Sequence, residues 1–145
     1  TLGFLVFNWP PAKIFMGDVG SGFVGFIIGI FSLIAADRVG SLGWVWAILL
    51  GVFIVDATVT LIGRLFRKQK LHVAHRSHAF QHLALRLGSH KPVTIGVVTI
   101  NLLWLFPIAF AVAEGRIDGF AGVLIAYTPL TIAALIFGAG TPSTN

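Results

Sequence analysis

Four side chains in this 145-residue sequence have types and settings that could carry chemistry: Asp18, Asp56, His78 and His82. Asp18 lies in Asn8-Trp9-Pro10-Pro11-Ala12-Lys13-Ile14-Phe15-Met16-Gly17-Asp18-Val19-Gly20-Ser21. Here a Pro-Pro pair and a basic residue lead into a Gly-Asp-x-Gly-Ser turn at the head of an apolar run. A carboxylate in that place is a hard oxygen of the kind Mg²⁺ prefers, and such ions bind through one or two carboxylates plus substrate phosphates. Gly17 and Gly20 permit tight turns and close approach of a ligand, and Ser21 can cap the helix that follows. The free N–H groups at that helix start favour an anionic phosphate. An ordinary Gly-Asp turn with a solvated carboxylate is the competing reading of the same residues.

His72, His75, His78 and His82 fall within eleven residues. If the segment is helical, His75, His78 and His82 stand at i, i+3 and i+7 on one face, with Arg86 a turn further on. That stripe, with Arg76, could donate to phosphate oxygens, ligate a metal or move protons. A basic amphipathic helix resting on anionic lipid headgroups explains it without chemistry. A zinc site is less well supported, because no cysteine and no second carboxylate lies close in sequence. Asp56 stands inside an apolar run, where a carboxylate is costly and implies a function or a partner. Arg64 is eight residues on, about 12 Å along a helix, too far for a direct pair. The partner of Asp56 must come from elsewhere, and a structural hydrogen bond is the bland alternative.

The elements that must position these groups are membrane spans. The hydrophobic fraction is 57%, charged residues make up 10% and the mean hydropathy is +0.94, against roughly a quarter charged in soluble domains. The expected fold is all-α and polytopic, with about four transmembrane helices, near residues 20–36, 42–62, 93–113 and 120–137. Gly22, Gly25 and Gly29 share a face of the first and would admit a neighbouring helix. Residues 8–19 and 63–92 form loops on one side. Seven of the ten Lys and Arg lie between Arg64 and Lys91. With Lys13 they outnumber Arg38 and Arg116 on the other side, which puts both loops in the cytoplasm. That bias, rather than nucleic-acid binding, explains the net charge of +5. Without cysteine there is no disulfide or thiol nucleophile. The opening on Thr1, with no Met and no signal pattern, reads as a piece of a longer protein.

The order and spacing of these elements resemble the C-terminal half of the polyprenyl-phosphate N-acetylhexosamine-1-phosphate transferases, glycosyltransferase family four. Asn8, Pro11-Ala12, Lys13 and Phe15 to Ser21 follow the family's Asn, Pro-Ala, basic residue, Phe-Met-Gly-Asp-x-Gly-Ser pattern closely. Asp56 and Arg64 meet its Asp-x₇-Arg pattern, a weaker signal. The histidine motif is met approximately by His78-Ala79-Phe80-Gln81-His82-Leu83, one residue longer than usual and with Gln81 where a histidine is common. His75-Arg76-Ser77-His78-Ala79 looks more like the O-antigen-initiating branch than the peptidoglycan branch.

The resemblance implies a bacterial inner-membrane enzyme with its site facing the cytoplasm. It would move a HexNAc-1-phosphate from a UDP-N-acetylhexosamine to undecaprenyl phosphate and release UMP. It implies Mg²⁺, with Mn²⁺ as the alternative, held by Asp18. His78 and His82 would act at the donor phosphates, with Asn8, Lys13, His75, Arg76 and Arg86 binding substrate. Membrane lipid is an expected partner and a homodimer an open expectation; nucleic acid is not expected. The family's Asp-Asp-x-x-Lys and Asn-x-x-Asp-Gly motifs are absent from these residues, so this chain is expected to be inactive alone. The rivals are a transporter or channel subunit with a basic gating loop and Asp56 on its path, and a non-enzymatic membrane scaffold.

Overall fold

A computed structural model describes residues 2–9, 11–68 and 78–141, and among them the chain is helical with no strand. A short α1 (Leu2–Asn8) leads through the Pro-Pro loop into α2 (Gly17–Arg38), followed by α3 (Gly40–Leu49) and α4 (Gly51–Phe66). Then come α5 (Ala79–Leu87), α6 (Lys91–Ile100), α7 (Phe106–Ala113) and α8 (Gly119–Ile136). Among the described residues three helical stretches are long and apolar enough to cross a membrane, Gly17–Arg38, Lys91–Ala113 and Gly119–Ile136; the bent pair α3–α4 makes a fourth if it counts as one span. This is the all-α, multi-pass character that the composition predicts.

Three local features differ from the sequence expectation, each for a physical reason. First, α2 begins at Gly17, whose φ of +66° is available to glycine without a Cβ clash. The Gly-Asp-x-Gly-Ser segment is therefore the first helical turn and not a loop before it. Ser21 does not cap: its hydroxyl donates to the Asp18 carbonyl at 3.2 Å. Second, residues 42–62 are not one straight span. The axis bends by 68° between α3 and α4. At the break a Cβ on Gly51 would lie 3.1 Å from Tyr127 Cε1 and 3.4 Å from Leu130 Cδ1, so the missing side chain lets α8 close on the bend. The Tyr127 hydroxyl donates to the Ala47 carbonyl at 2.8 Å, giving a partner to a backbone group that lipid could not satisfy. Third, Asn101–Leu105 forms a wide π-helical turn between α6 and α7, with Phe106 N–H bonded to the Asn101 carbonyl. Pro107 follows at once and has no N–H to give, so the regular ladder could not continue here in any case.

Ile48, Leu105, Ile108, Ala109, Val112 and Ala126 form the core where α3, α7 and α8 meet. Lipid offers no hydrophobic gain for this, so close packing of small residues has to hold the helices together. Gly122 shows how close: a Cβ there would sit 2.5 Å from Val112 Cγ2. A second cluster, Val55, Ala79, Ala134 and Ala139, joins α4, the start of α5 and α8. Around Gly22, Gly25 and Gly29, by contrast, there is open space among the described residues. Among the described residues no neighbour covers that face; α2 meets α3 instead where Gly43 faces Ala36.

The segment after α8 is tied back onto α4 and α5. The Arg67 guanidinium donates to the Gly140 carbonyl, and His82 Nε2 lies 3.1 Å from the Thr141 carbonyl. Gly140 has φ +76°, and a Cβ on it would lie 2.9 Å from Gly63 Cα. Gly140→Ala is expected to destabilise the full-length protein by about 1–3 kcal/mol of backbone strain plus the cost of the backbone clash. Gly88→Ala, at φ +64° with nothing within 4 Å, supplies the strain alone. Thermal unfolding in detergent should give a lower midpoint for Gly140→Ala than for Gly88→Ala; equal midpoints would show that the Gly63–Gly140 contact carries no weight.

Candidate functional site

The bend at Leu50 opens a groove of about 1020 Å³ between α2, α4, α5, α6 and α8. Phe53, Val93, Val97 and Leu130 are among its apolar lining, while Asp18, Asp56, His78 and Asn101 bring polar groups to it. Side chains read from the sequence at positions 18, 56 and 78, on three different elements, thus converge on one groove.

Asp56 is the best-defined of them. Its side chain is 16% exposed, so its oxygens need partners. Oδ1 accepts from the backbone N–H of Ala79 at 2.8 Å, and Oδ2 lies 2.9 Å from His78 Nδ1. The carboxylate therefore caps α5 from another helix, at the end whose dipole favours negative charge. His78 is the residue just before α5, with extended backbone (φ −80°, ψ 144°). Gln81 Oε1 accepts from its backbone N–H at 3.3 Å, and its ring stacks on Phe80 with centroids 5.6 Å apart.

This arrangement differs from the single histidine face expected for a helix running through position 75. Because α5 starts only at Ala79, His78 points with Asp56 to the groove while His82, inside the helix, points to Thr141. Among the described residues the groove lining does not include Asn8, Lys13, Arg64, His82 or Arg86. Asn8 closes the Pro-Pro loop by donating to the Ile14 carbonyl at 2.8 Å, and Lys13 and Arg86 are exposed. Arg64 is half-buried on α4. His72, His75 and Arg76 lie outside the described residues.

Asp18 is exposed in the first turn of α2, and among the described residues no hydrogen bond or ion pair engages its carboxylate. No group of three or more His, Cys, Asp or Glu among the described residues could by itself hold a metal ion. This donor set fits Mg²⁺ bound through one protein carboxylate with phosphates and waters, and does not fit an all-protein cage. Two features escaped the sequence reading. Asn101 is the third polar residue of the apolar span 93–113, after Thr94 and Thr99, and Pro107 is the signal that the helix around it is irregular. Arg67, which the sequence offers only as one charge of the basic loop, ties α4 to Gly140.

Fold and groove together define a multi-pass membrane protein with a largely apolar groove that carries Asp18, Asp56 and His78. A family profile described as Glycosyl transferase family 4 matches residues 1–36. A Bacillus subtilis protein named as a probable undecaprenyl-phosphate N-acetylglucosaminyl 1-phosphate transferase is 38% identical over 106 residues, covering 72% of this chain and 30% of that protein. A Rickettsia canadensis phospho-N-acetylmuramoyl-pentapeptide-transferase is 36% identical over 90 residues, 55% of this chain and 24% of its own length. A Borrelia duttonii protein of the same name is 33% identical over 105 residues, 72% and 28% respectively. No solved structure matches the chain. These matches support membership of the polyprenyl-phosphate hexosamine-1-phosphate transferase family, with more than one of its branches among the relatives. The chain spans less than a third of the length of these relatives.

Proposed function

We propose that this chain supplies the acceptor groove and one metal ligand of an enzyme that transfers a HexNAc-1-phosphate from a UDP-N-acetylhexosamine to undecaprenyl phosphate, releasing UMP. The observation that carries this reading is the convergence of Asp18, Asp56 and His78 on a groove that is otherwise largely apolar. A polyprenyl phosphate is an apolar chain ending in an anion, and such a groove can hold both parts. Phosphoryl transfer between two anions asks for alignment and charge neutralisation more than for a covalent nucleophile. Asp18 would hold Mg²⁺, which supplies neutralisation of the phosphates when bound. The groove walls align the lipid and exclude water, and His78 contacts a phosphate. The charge asymmetry of the loops supports an inner-membrane protein with this groove open to the cytoplasm. The run His75 to Ala79 supports the O-antigen-initiating branch.

The test is a transfer assay with the purified full-length protein, UDP-[¹⁴C]GlcNAc or UDP-[¹⁴C]GalNAc and undecaprenyl phosphate. Label is expected in the lipid fraction with one UMP released per label transferred; no labelled lipid with either donor overturns the reading. The 145-residue chain alone is expected to release no UMP under the same conditions. Among its described residues it offers one unengaged carboxylate at the groove and no metal-binding cluster, and UMP release by the chain alone would show that no further acidic residues are needed.

A further inference from the structure

We propose that Asp56 and His78 form a dyad in which Asp56 fixes the imidazole so that its Nε2 faces the groove and takes the proton of a phosphate monoester bound there. The dyad itself stands on geometry; the identity of its proton donor rests on the transferase reading above.

A carboxylate only accepts hydrogen bonds, so with Oδ2 2.9 Å from Nδ1 the neutral ring carries its hydrogen on Nδ1. That leaves the Nε2 lone pair, and His78 lines the groove. Capping alone does not require this contact. Oδ1 already satisfies the Ala79 N–H at 2.8 Å, and the second oxygen is spent on selecting the tautomer of the ring. The stack on Phe80, the part-buried carboxylate and its bond to the backbone of α5 hold the pair in place before a ligand arrives. The other histidine of α5, His82, is directed at Thr141. Among the described residues, the titratable side chains lining the groove besides this pair reduce to Asp18 on α2. His78 is therefore the described imidazole that can accept a proton in the groove.

A phosphate monoester has its second pKa near 6, so part of it arrives carrying a proton. That proton moves from the phosphate oxygen to Nε2, and Asp56 faces the resulting imidazolium. The dianion then forms its new P–O bond at the donor's sugar-linked phosphorus. The bridging bond to the nucleotide phosphate breaks with its electron pair staying on UMP, and the imidazolium returns its proton to solvent. Asp56 acts through His78 as a positioning residue; His78 touches the substrate.

Asp56→Asn in the full-length protein keeps the shape and lets Oδ1 go on accepting from Ala79, but it turns an NH₂ toward Nδ1. The ring must then carry its hydrogen on Nε2, the inversion that disables a serine-protease triad. The expected result is a fall in kcat of about 10²-fold, in the range of one lost proton transfer. KM for both substrates should stay within about threefold, with part of the rate recovered in Asp56→Glu. In lipid-reconstituted protein labelled with ¹⁵N-histidine, the His78 signal is identified by its loss in His78→Gln. It should show a protonated Nδ1 and a bare Nε2, reversed in Asp56→Asn, with Nε2 gaining a proton when dodecyl phosphate is added as the monoester probe. An unchanged kcat in Asp56→Asn, a wild-type ring protonated on Nε2 alone, or an Nε2 indifferent to dodecyl phosphate overturns the proposal. If the variant fails to fold, the wild-type spectrum with and without the probe decides. If the wild-type protein transfers no sugar, the transferase reading falls, while the spectra still stand for or against the dyad.

Discussion

Asp18→Asn in the full-length protein is expected to lower UMP release about 10³-fold while expression and membrane insertion stay unchanged. The carboxylate is exposed and, among the described residues, makes no bond that the fold depends on. The substitution removes one negative charge and little else. Its position in the first turn of α2 favours an acid, but that preference amounts to about 0.3–1 kcal/mol at a surface site. Stability therefore cannot account for a large effect. The loss would come from the ligand: a metal that neutralises transferring phosphates supplies several kcal/mol, and about 4 kcal/mol corresponds to three decades in rate. Asp37→Asn, an exposed acid at the far end of the same helix, makes the same charge change away from the groove and should leave transfer unchanged. Measured transfer in Asp18→Asn equal to wild type would remove the metal-ligand role.

The legibility of this site in the sequence follows from how each part is encoded. Asp18 was readable because its motif is contiguous, and a contiguous pattern needs no tertiary information. Asp56 was readable as an anomaly, a carboxylate in an apolar run, but its partner was not. His78 is 22 residues away, and the pairing is set by how α5 returns to α4, which no local pattern contains. The histidine stripe misled for a related reason. Periodicity assigns one face only if the helix runs through all its members, and here the first turn begins at Ala79. Hydropathy marks the long apolar runs because burial in lipid is an averaged property. It could not find the bend at Leu50, because Gly51 is unremarkable in an apolar run until Tyr127 and Leu130 pack against it. The groove is thus a product of irregularities, the bend and the π-helical turn, that leave hydropathy nearly untouched.

Those irregularities also make the groove testable apart from its polar groups. Gly96 lines it, and a Cβ there meets nothing within 4 Å. Gly96→Phe therefore places a ring in the space assigned to the polyprenyl chain without pressing on backbone. The helix should not suffer, since glycine is about 0.8–1.0 kcal/mol less favourable than alanine in a helix interior and most other residues lie well below that cost. A phenyl ring displaces roughly one isoprene unit, about five carbons. At about 0.8 kcal/mol per buried CH₂ this is about 4 kcal/mol, or close to 10³-fold in KM for undecaprenyl phosphate. Because the polar lining of Asp18, Asp56 and His78 is untouched, the KM for the UDP-sugar should stay within a fewfold of wild type. An acceptor too short to reach Gly96 should lose much less than the full-length lipid. The measurement is transfer rate against acceptor concentration for a long and a short polyprenyl phosphate. Equal losses for both would show that the ring disturbs the helix generally, and no loss for either would show that the lipid does not lie in this groove.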